Sequence, residues 1–406
     1  MSTTPRLLGT NASVTETFLV FLKLGLTCFG GPIAHLGYFH REFVVRRKWL
    51  DEHAYADTVA LCQFLPGPAS SKVGMVIGMH RAGWMGALAA WVGFTMPSAL
   101  LMIAFAFGVA SLGDVAHAGW LSGLKLAAVA VVAQAVWAMA SKFCLERITA
   151  TIALVGAIVI LAWTSGFAQI LVIGLGSFFG WCFFRHQAMD ASRDPHAGKL
   201  AIPFGNRTGA VLLVLFLSLL LILPALTALT HNSAVASFDS FYRAGAFVFG
   251  GGHVVLPLLQ AGVVKPGWVS NDQFLAGYGA VQAVPGPLFS FAAYLGAVMK
   301  PNPNGWLGAL WCLVAIFVPA ALLAFGSLPF WEKLRHQPFA RAMLKGANAS
   351  VVGVLLAALY QPVWTSAVHG PVEFILALAA YGLLVFWSCP PWLVVAMSAL
   401  GGFLFL

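Results

Sequence analysis

Apolar windows of about 20 residues, the length a helix needs to cross a hydrocarbon core, recur along the whole chain. They run Gly83–Ala110, Gly119–Ala140, Ile148–Trp163, Phe167–Phe184, Val211–Leu229 and Gly305–Leu328. Only 9% of the residues are charged against 60% hydrophobic, where soluble domains carry about a quarter charged. The sequence therefore predicts an all-α polytopic membrane protein, embedded in a lipid bilayer. In lipid every backbone N–H and C=O needs an internal partner, so residues that break helices at membrane depth become the informative ones.

Those breakers occur twice. Gly25, Phe29, Gly30 and Gly31 match Gly245, Phe249, Gly250 and Gly251 at an offset of about 220 residues. Gln63, Pro66, Gly67, Pro68 and Ser71 match Gln282, Pro285, Gly286, Pro287 and Ser290, and "GWMGAL" at Gly83–Leu88 matches "GWLGAL" at Gly305–Leu310. A fixed offset over this span marks an internal duplication. The boundaries read as a polar tail at 1–13, a first repeat at 14–184, a linker with one extra transmembrane helix at 185–236, and a second repeat at 237–406. With about six segments per repeat and about 12–14 helices in total, the extra helix turns the second repeat upside down. Inverted repeats with broken helices are a transporter architecture, with the substrate site where the repeats meet.

Loop charge bears on the topology. With the N-terminus inside, Arg81, Lys142, Arg147, Arg185, Arg193, Lys199, Arg207, Lys333 and Arg335 fall in cytoplasmic loops, as the positive-inside tendency favours. Arg41, Arg46, Arg47 and Lys48 would lie outside, against that tendency, unless the first segment, interrupted at Gly30-Gly31-Pro32, enters and returns. The first dozen residues lack the order of a secretory signal.

Each Pro-Gly-Pro reads as stop, turn and restart. Proline ends a helix from within but suits a first turn. The restarted helix exposes unpaired N–H groups and a positive dipole end, which attract anions. Ser70, Ser71 and Lys72 add donors and a charge there, and Ser290 stands at the matching place in the second repeat. A turn at the membrane surface is the alternative. The Phe-Gly-Gly runs, Gly30-Gly31 and Gly250-Gly251, suit close backbone approach to a ligand or to another helix.

Lys23 and Arg243 occupy matching places in apolar segments, where a cation normally faces a cavity or a partner. For Lys23 the alternative is snorkelling to the surface, and for Arg243 an ion pair with Asp239. Lys125 is a further buried cation, with Asn348 near its equivalent position, and His253 follows the second glycine run. His253 is a candidate for proton coupling or a packing histidine. The 13 acidic residues lie mostly in loops and helix starts, Asp51 as an N-cap. Cations, hydroxyls and half-helix N-termini together favour an anion.

The six cysteines are scattered without a CxxC pair, and no HExxH-type spacing occurs, so neither a disulfide framework nor a metal site is expected. No cofactor fingerprint is present, which speaks against a membrane-embedded enzyme. The +9 balance reads as topology and lipid contact, not nucleic-acid binding.

The runs "FGGPIAHLGYFHREFVVRRKWLDEHAYADTVALCQFLPGPAS" and "FGGGHVVLPLLQ…GYGAVQAVPGPLFSFAAYLGA" resemble the signature motifs of the chromate ion transporter family, in its long-chain, two-domain form. The likeness covers nearly the whole chain. It implies a multi-pass protein of a bacterial inner membrane that exports chromate and confers chromate resistance, with dependence on the proton motive force. It also implies functional positions in the two Phe-Gly-Gly and two Pro-Gly-Pro runs. Sulfate or another oxyanion is the alternative substrate, and a homodimer is one assembly left open by the sequence.

Overall fold

In the computed structural model of the chain, which describes residues 13–29, 31–111, 119–163, 166–185, 204–249, 252–331 and 337–406, the regular structure is helical. The first repeat contributes α1 (Val14–Thr27), α2 (Gly31–Phe39, continued by a π-helical turn His40–Arg46), α3 (Glu52–Phe64), α4 (Ala69–Ser111), α5 (Gly119–Phe143), α6 (Arg147–Ala162) and α7 (Gly166–Phe184). After α8 (Asn206–Thr230) the order recurs: α9 (Ser233–Ala246), α10 (Val255–Val263), α11 (Asn271–Val281), α12 (Phe291–Val298), α13 (Gly305–Ser327), α14 (Pro338–Ala358), α15 (Pro371–Val385) and α16 (Pro391–Phe405). There are sixteen α-helices among the described residues. The number exceeds the expected 12–14 because the breaks divide several apolar segments into half-helices.

Local chemistry starts these helices at matching places with different residues. Ser13 and Asn232 cap α1 and α9. Asp51 accepts from the Ala54 N–H at the start of α3, and Ser270 forms a capping box with Gln273 on α11. The α4 helix is two limbs joined at Ala82 (φ −143°) and Gly83 (φ +63°). The limbs fold back so closely that a β-carbon on Gly78 would strike the Gly86 carbonyl; Gly296 on α12 meets Gly308 on α13 in the same way.

Ion pairs show where the short helices begin and end. Glu16, at the start of α1, takes Arg47 at 2.7 Å and Arg81, at the end of the first α4 limb, at 3.4 Å. Glu42 takes Arg47 and Arg46 at 2.6 and 2.9 Å, and the Arg47 and Arg81 guanidinia lie 5.4 and 4.8 Å from the Trp49 ring. The start of α1, the end of the π-helical turn and the end of the first α4 limb therefore share one end of the molecule. So α1–α2 and α3–α4 are hairpins that enter and return, with the chain between Thr27 and Gly31 joining the first pair and Pro-Gly-Pro at the tip of the second. The second repeat does the same: Ser233 at the start of α9 donates to the Asn302 carbonyl, and the Lys300 N–H donates to Trp268 at 3.0 Å.

This arrangement decides two points of topology. Each repeat has six segments, two returning hairpins followed by four longer passages. The basic run Arg46–Lys48 sits on the same side as Arg81, so the charge anomaly disappears.

The second α4 limb and its equivalent α13 run antiparallel. Trp84, at the start of one, packs 5.3 Å from Phe325 near the end of the other, and Phe107 packs 5.6 Å from Trp306. Matched elements pointing in opposite directions make the repeats inverted. The second α4 limb with α5, α6, α7 and α8 gives an odd number of passages, as inversion requires. Five described helices are long and apolar enough to cross a membrane, within Ala69–Val109, Gly119–Phe143, Asn206–Thr230, Gly305–Phe330 and Pro338–Trp364. Cysteines placed at Lys48 and Lys265, both exposed, should label from opposite faces in a background without reactive native thiols. Labelling from one face would remove the inverted arrangement.

The repeats are interlocked rather than side by side. The α6–α7 pair packs on α14 of the other repeat, and α15–α16 packs on α5. Small residues make this close approach feasible: Gly119 and Gly123 lie against Gly402 and Ser398, and Gly180 and Gly176 against Ala342 and Gly346. The α8 helix packs on α9 and α13 with most of its surface outward, Leu221 and Leu229 being 72% and 78% exposed.

Candidate substrate site

The proline-flanked breaks lie inside the protein, each against the other repeat. At the first, α3 ends at Phe64, Leu65 is extended, Gly67 takes φ +103°, and α4 restarts at Ala69. At the second, Gly286 takes φ +94° and Pro287 is extended before a 3₁₀ turn at Leu288–Ser290. Positive φ favours glycine, which has no β-carbon to clash. The Gly67 N–H donates to the Val248 carbonyl at 2.7 Å, and the Gly286 N–H donates to the Cys28 carbonyl at 2.8 Å. Val248 and Cys28 are the residues just before the two Phe-Gly-Gly runs, so each break docks on the glycine approach of the opposite repeat. Behind them, a β-carbon on Gly67 would lie 3.0 Å from Ala320 Cβ, and one on Gly286 would lie 3.1 Å from Ser98 Oγ. Gly67, Pro68, Pro285 and Pro287 are all buried.

A cavity of about 80 Å³ opens beside the second break, several times the space one water needs. Gly31 reaches it from the first Phe-Gly-Gly tip, Gln282 and Gly286 from the second Pro-Gly-Pro tip, His253 from the turn before α10, and Gln134 from the middle of α5. Val131 and Pro391 form apolar wall. His253 lines the space, and its Nδ1 is paired with the Tyr278 hydroxyl at 2.8 Å. Gln282 Nε2 makes a long contact, 3.4 Å, to the Tyr278 carbonyl. Among the described residues the lining holds no formally charged side chain other than a protonatable histidine.

The structure thus brings together Gly31, Gln282, Gly286 and His253 from the sequence expectations, with Pro285 and Pro287 shaping the turn. Gly30, Gly250 and Gly251 lie outside the described residues. Gln63, Pro66, Gly67 and Pro68 form the equivalent first break, with Gln63 exposed. Ser70 lies 3.3 Å from His35 Nδ1. Ser71 and Ser290, at matching positions, keep buried hydroxyls without a hydrogen-bond partner among the described residues.

The expected cations do not line this cavity. Lys23 is exposed on α1. Arg243 pairs with Asp239 at 2.6 Å. Lys125 pairs with Asp272 at 2.8 Å, tying α5 to α11. Lys72 is fully buried, donating to the Leu65 and Pro66 carbonyls at 2.6 and 2.9 Å. Asn348 is half-buried on α14. Sequence reasoning missed Gln134 and Tyr278. Gln134 had a visible signal, a lone amide within "VAVVAQAVWAMA", whereas the Tyr278 hydroxyl becomes informative only through its contact with His253.

The comparisons with known proteins agree with this architecture. The profile of the Chromate transporter family matches residues 15–181 and again 235–403. A probable chromate transport protein of Synechococcus elongatus is 27% identical over 405 residues, covering 97% of this chain and 96% of its own length. The chromate transport protein of Pseudomonas aeruginosa is 28% identical over 349 residues, 84% of this chain and 79% of itself. An uncharacterized transporter of Bacillus subtilis, YwrA, is 29% identical over 174 residues, 41% of this chain but 93% of itself. That last relative has the length of one repeat. No solved structure matches the chain. Two family-matched repeats and relatives named as transport proteins make this chain a membrane transport protein of the chromate transporter family.

Proposed function

We propose that this chain exports chromate across a bacterial inner membrane by alternating access to the cavity beside the second break, and that this export confers chromate resistance. The observation that carries the reading is the reciprocal docking of two broken helices beside a small polar cavity in an otherwise apolar body. Gln134, Gln282 and His253 supply side-chain donors, and the Gly31 and Gly286 tips bring backbone close to the ion. A hydrogen bond to a charged group contributes about 1.5–3 kcal/mol, so a few neutral donors can replace much of a dianion's water shell.

Outward movement follows from the charge. Each elementary charge crossing the membrane gains about 2.3 kcal/mol per 100 mV. A dianion leaving a cell that is negative inside gains about 4.6 kcal/mol per 100 mV, enough for roughly three decades of gradient. The electrical part of the proton motive force is then sufficient to drive export.

Energised everted vesicles should accumulate labelled chromate, and collapsing the potential with valinomycin and potassium should stop accumulation. Vesicles that behave like empty-vector controls would reject the reading. Sulfate has the same shape and charge, so it should compete; chromate flux abolished by equimolar sulfate would make sulfate the better substrate. Gln282→Leu, which removes one donor, should weaken chromate binding by about ten- to a hundredfold.

A further inference from the structure

We propose that chromate binding in this cavity is linked to one proton, carried by His253, and that the first repeat has no equivalent proton site. The inference rests on the functional reading above. A dianion entering a small cavity lined by neutral groups brings uncompensated charge into a poorly solvated place, which favours any nearby group able to become positive. His253 is the titratable side chain of the described lining.

Its geometry suits both protonation states. With the ring neutral, Nδ1 can accept from the Tyr278 hydroxyl, 2.8 Å away, which puts the ring proton on Nε2. With the ring protonated, Nδ1–H donates to the same oxygen and Nε2–H remains available to the anion. No rearrangement separates the two states, because a hydroxyl can serve as donor or acceptor. Tyr278 is itself fixed, fully buried and edge-on to Phe291 at 5.7 Å.

The surroundings contain few competitors. From α11 come Tyr278 and neutral Gln282; from α5, neutral Gln134; from α2, Gly31; from the break, Gly286 and Leu288; from α16, Pro391. Cys389 packs against the apolar cluster that Val131 forms with Ala130, Ala380, Leu384 and Val394. On α5 the charged groups are Lys142 and Lys125, about 12 and 13 Å along the helix from Gln134 in opposite directions, and Lys125 is neutralised by Asp272. His35 is outside the lining, with Nδ1 3.3 Å from the Ser70 hydroxyl and a buried Nε2 without a hydrogen-bond partner among the described residues. At the position in the first repeat that matches His253 the sequence has Ile33, so the linkage belongs to one repeat alone. A dianion travelling with one proton carries one net charge, and the membrane potential acts on that one charge instead of two.

The test is equilibrium chromate binding to the purified full chain in nanodiscs between about pH 5 and 8, with proton uptake read from calorimetry in buffers of different ionisation heat. Chromate takes up protons itself in this range, so His253→Gln is the reference curve. Wild-type affinity should rise by about tenfold per pH unit of acidification relative to His253→Gln, with close to one extra proton taken up per anion. Tyr278→Phe should keep the linkage but move its midpoint by about half a pH unit or more. Parallel wild-type and His253→Gln curves would overturn the inference and leave the transport reading standing. So would an unmoved midpoint in Tyr278→Phe, which decides the matter should His253→Gln fail to fold. Absence of chromate binding to the wild type at every pH would overturn both.

Discussion

Gly286→Ala should cut chromate transport per folded molecule by about tenfold or more relative to Gly67→Ala, although both substitutions strain the same kind of turn. Residues other than glycine held at such φ values cost about 1–3 kcal/mol. The added methyl is also crowded at both sites: 3.1 and 3.2 Å from Ser98 Oγ and the Phe94 carbonyl at position 286, and 3.0 Å from Ala320 Cβ at position 67. Each variant should therefore lose about 2–5 kcal/mol of stability, visible as a lower melting temperature in detergent. What separates them is the cavity. Gly286 lines it and Gly67 does not. Relief of crowding at 286 would push the turn away from Ser98, lengthen the 2.8 Å bond to Cys28 and move the turn relative to the cavity. Equal specific activities in the two folded variants would show that the second break has no privileged relation to substrate.

The inverted duplication and the two interruptions were legible in the sequence because proline and glycine act locally. Pro66-Gly67-Pro68 ends a helix whatever surrounds it, and its recurrence about 220 residues later states the symmetry outright. The docking of each break on the opposite repeat was not legible. The Gly286–Cys28 hydrogen bond joins residues from different repeats, and nothing in either stretch names the other. The cations illustrate the same limit. Lys125 reads as an unpaired charge in an apolar run, yet its carboxylate partner lies 147 residues away. Arg243 was readable, since Asp239 sits one helical turn earlier. The re-entrant first hairpin was signalled by the misplaced charge of Arg46–Lys48, but choosing between crossing and returning needed the Glu16–Arg47 contact. The polar character of the cavity was only half visible. The sequence weighted full charges over amides, and the structure puts Gln134 and Gln282, not lysines, at the space beside the break.

Lys72→Met should lose most of its folded protein, and Lys72→Gln should recover part of it. A helix leaves its last carbonyls unpaired, and at the end of α3 the chain continues into Pro66, which has no N–H to offer. Lys72, one turn into the restarted helix, reaches back and donates to the Leu65 and Pro66 carbonyls at 2.6 and 2.9 Å with no exposed surface. It closes the break from inside. Methionine keeps the length and apolar stem but leaves both carbonyls without their donor, at about 1–3 kcal/mol each. That is a large share of the about 5–15 kcal/mol by which folded domains are commonly stable. Glutamine carries an N–H donor on a shorter arm and can satisfy one carbonyl. The matching residue in the second repeat is Phe291, so the second break closes without a lysine, as befits a position that supports the chain rather than gripping substrate. Size-exclusion profiles and melting curves of the detergent-extracted variants, with chromate flux per folded molecule, separate the two roles. A Lys72→Met protein that melts like the wild type but no longer moves chromate would make Lys72 a substrate ligand and remove it as the cap of the first break.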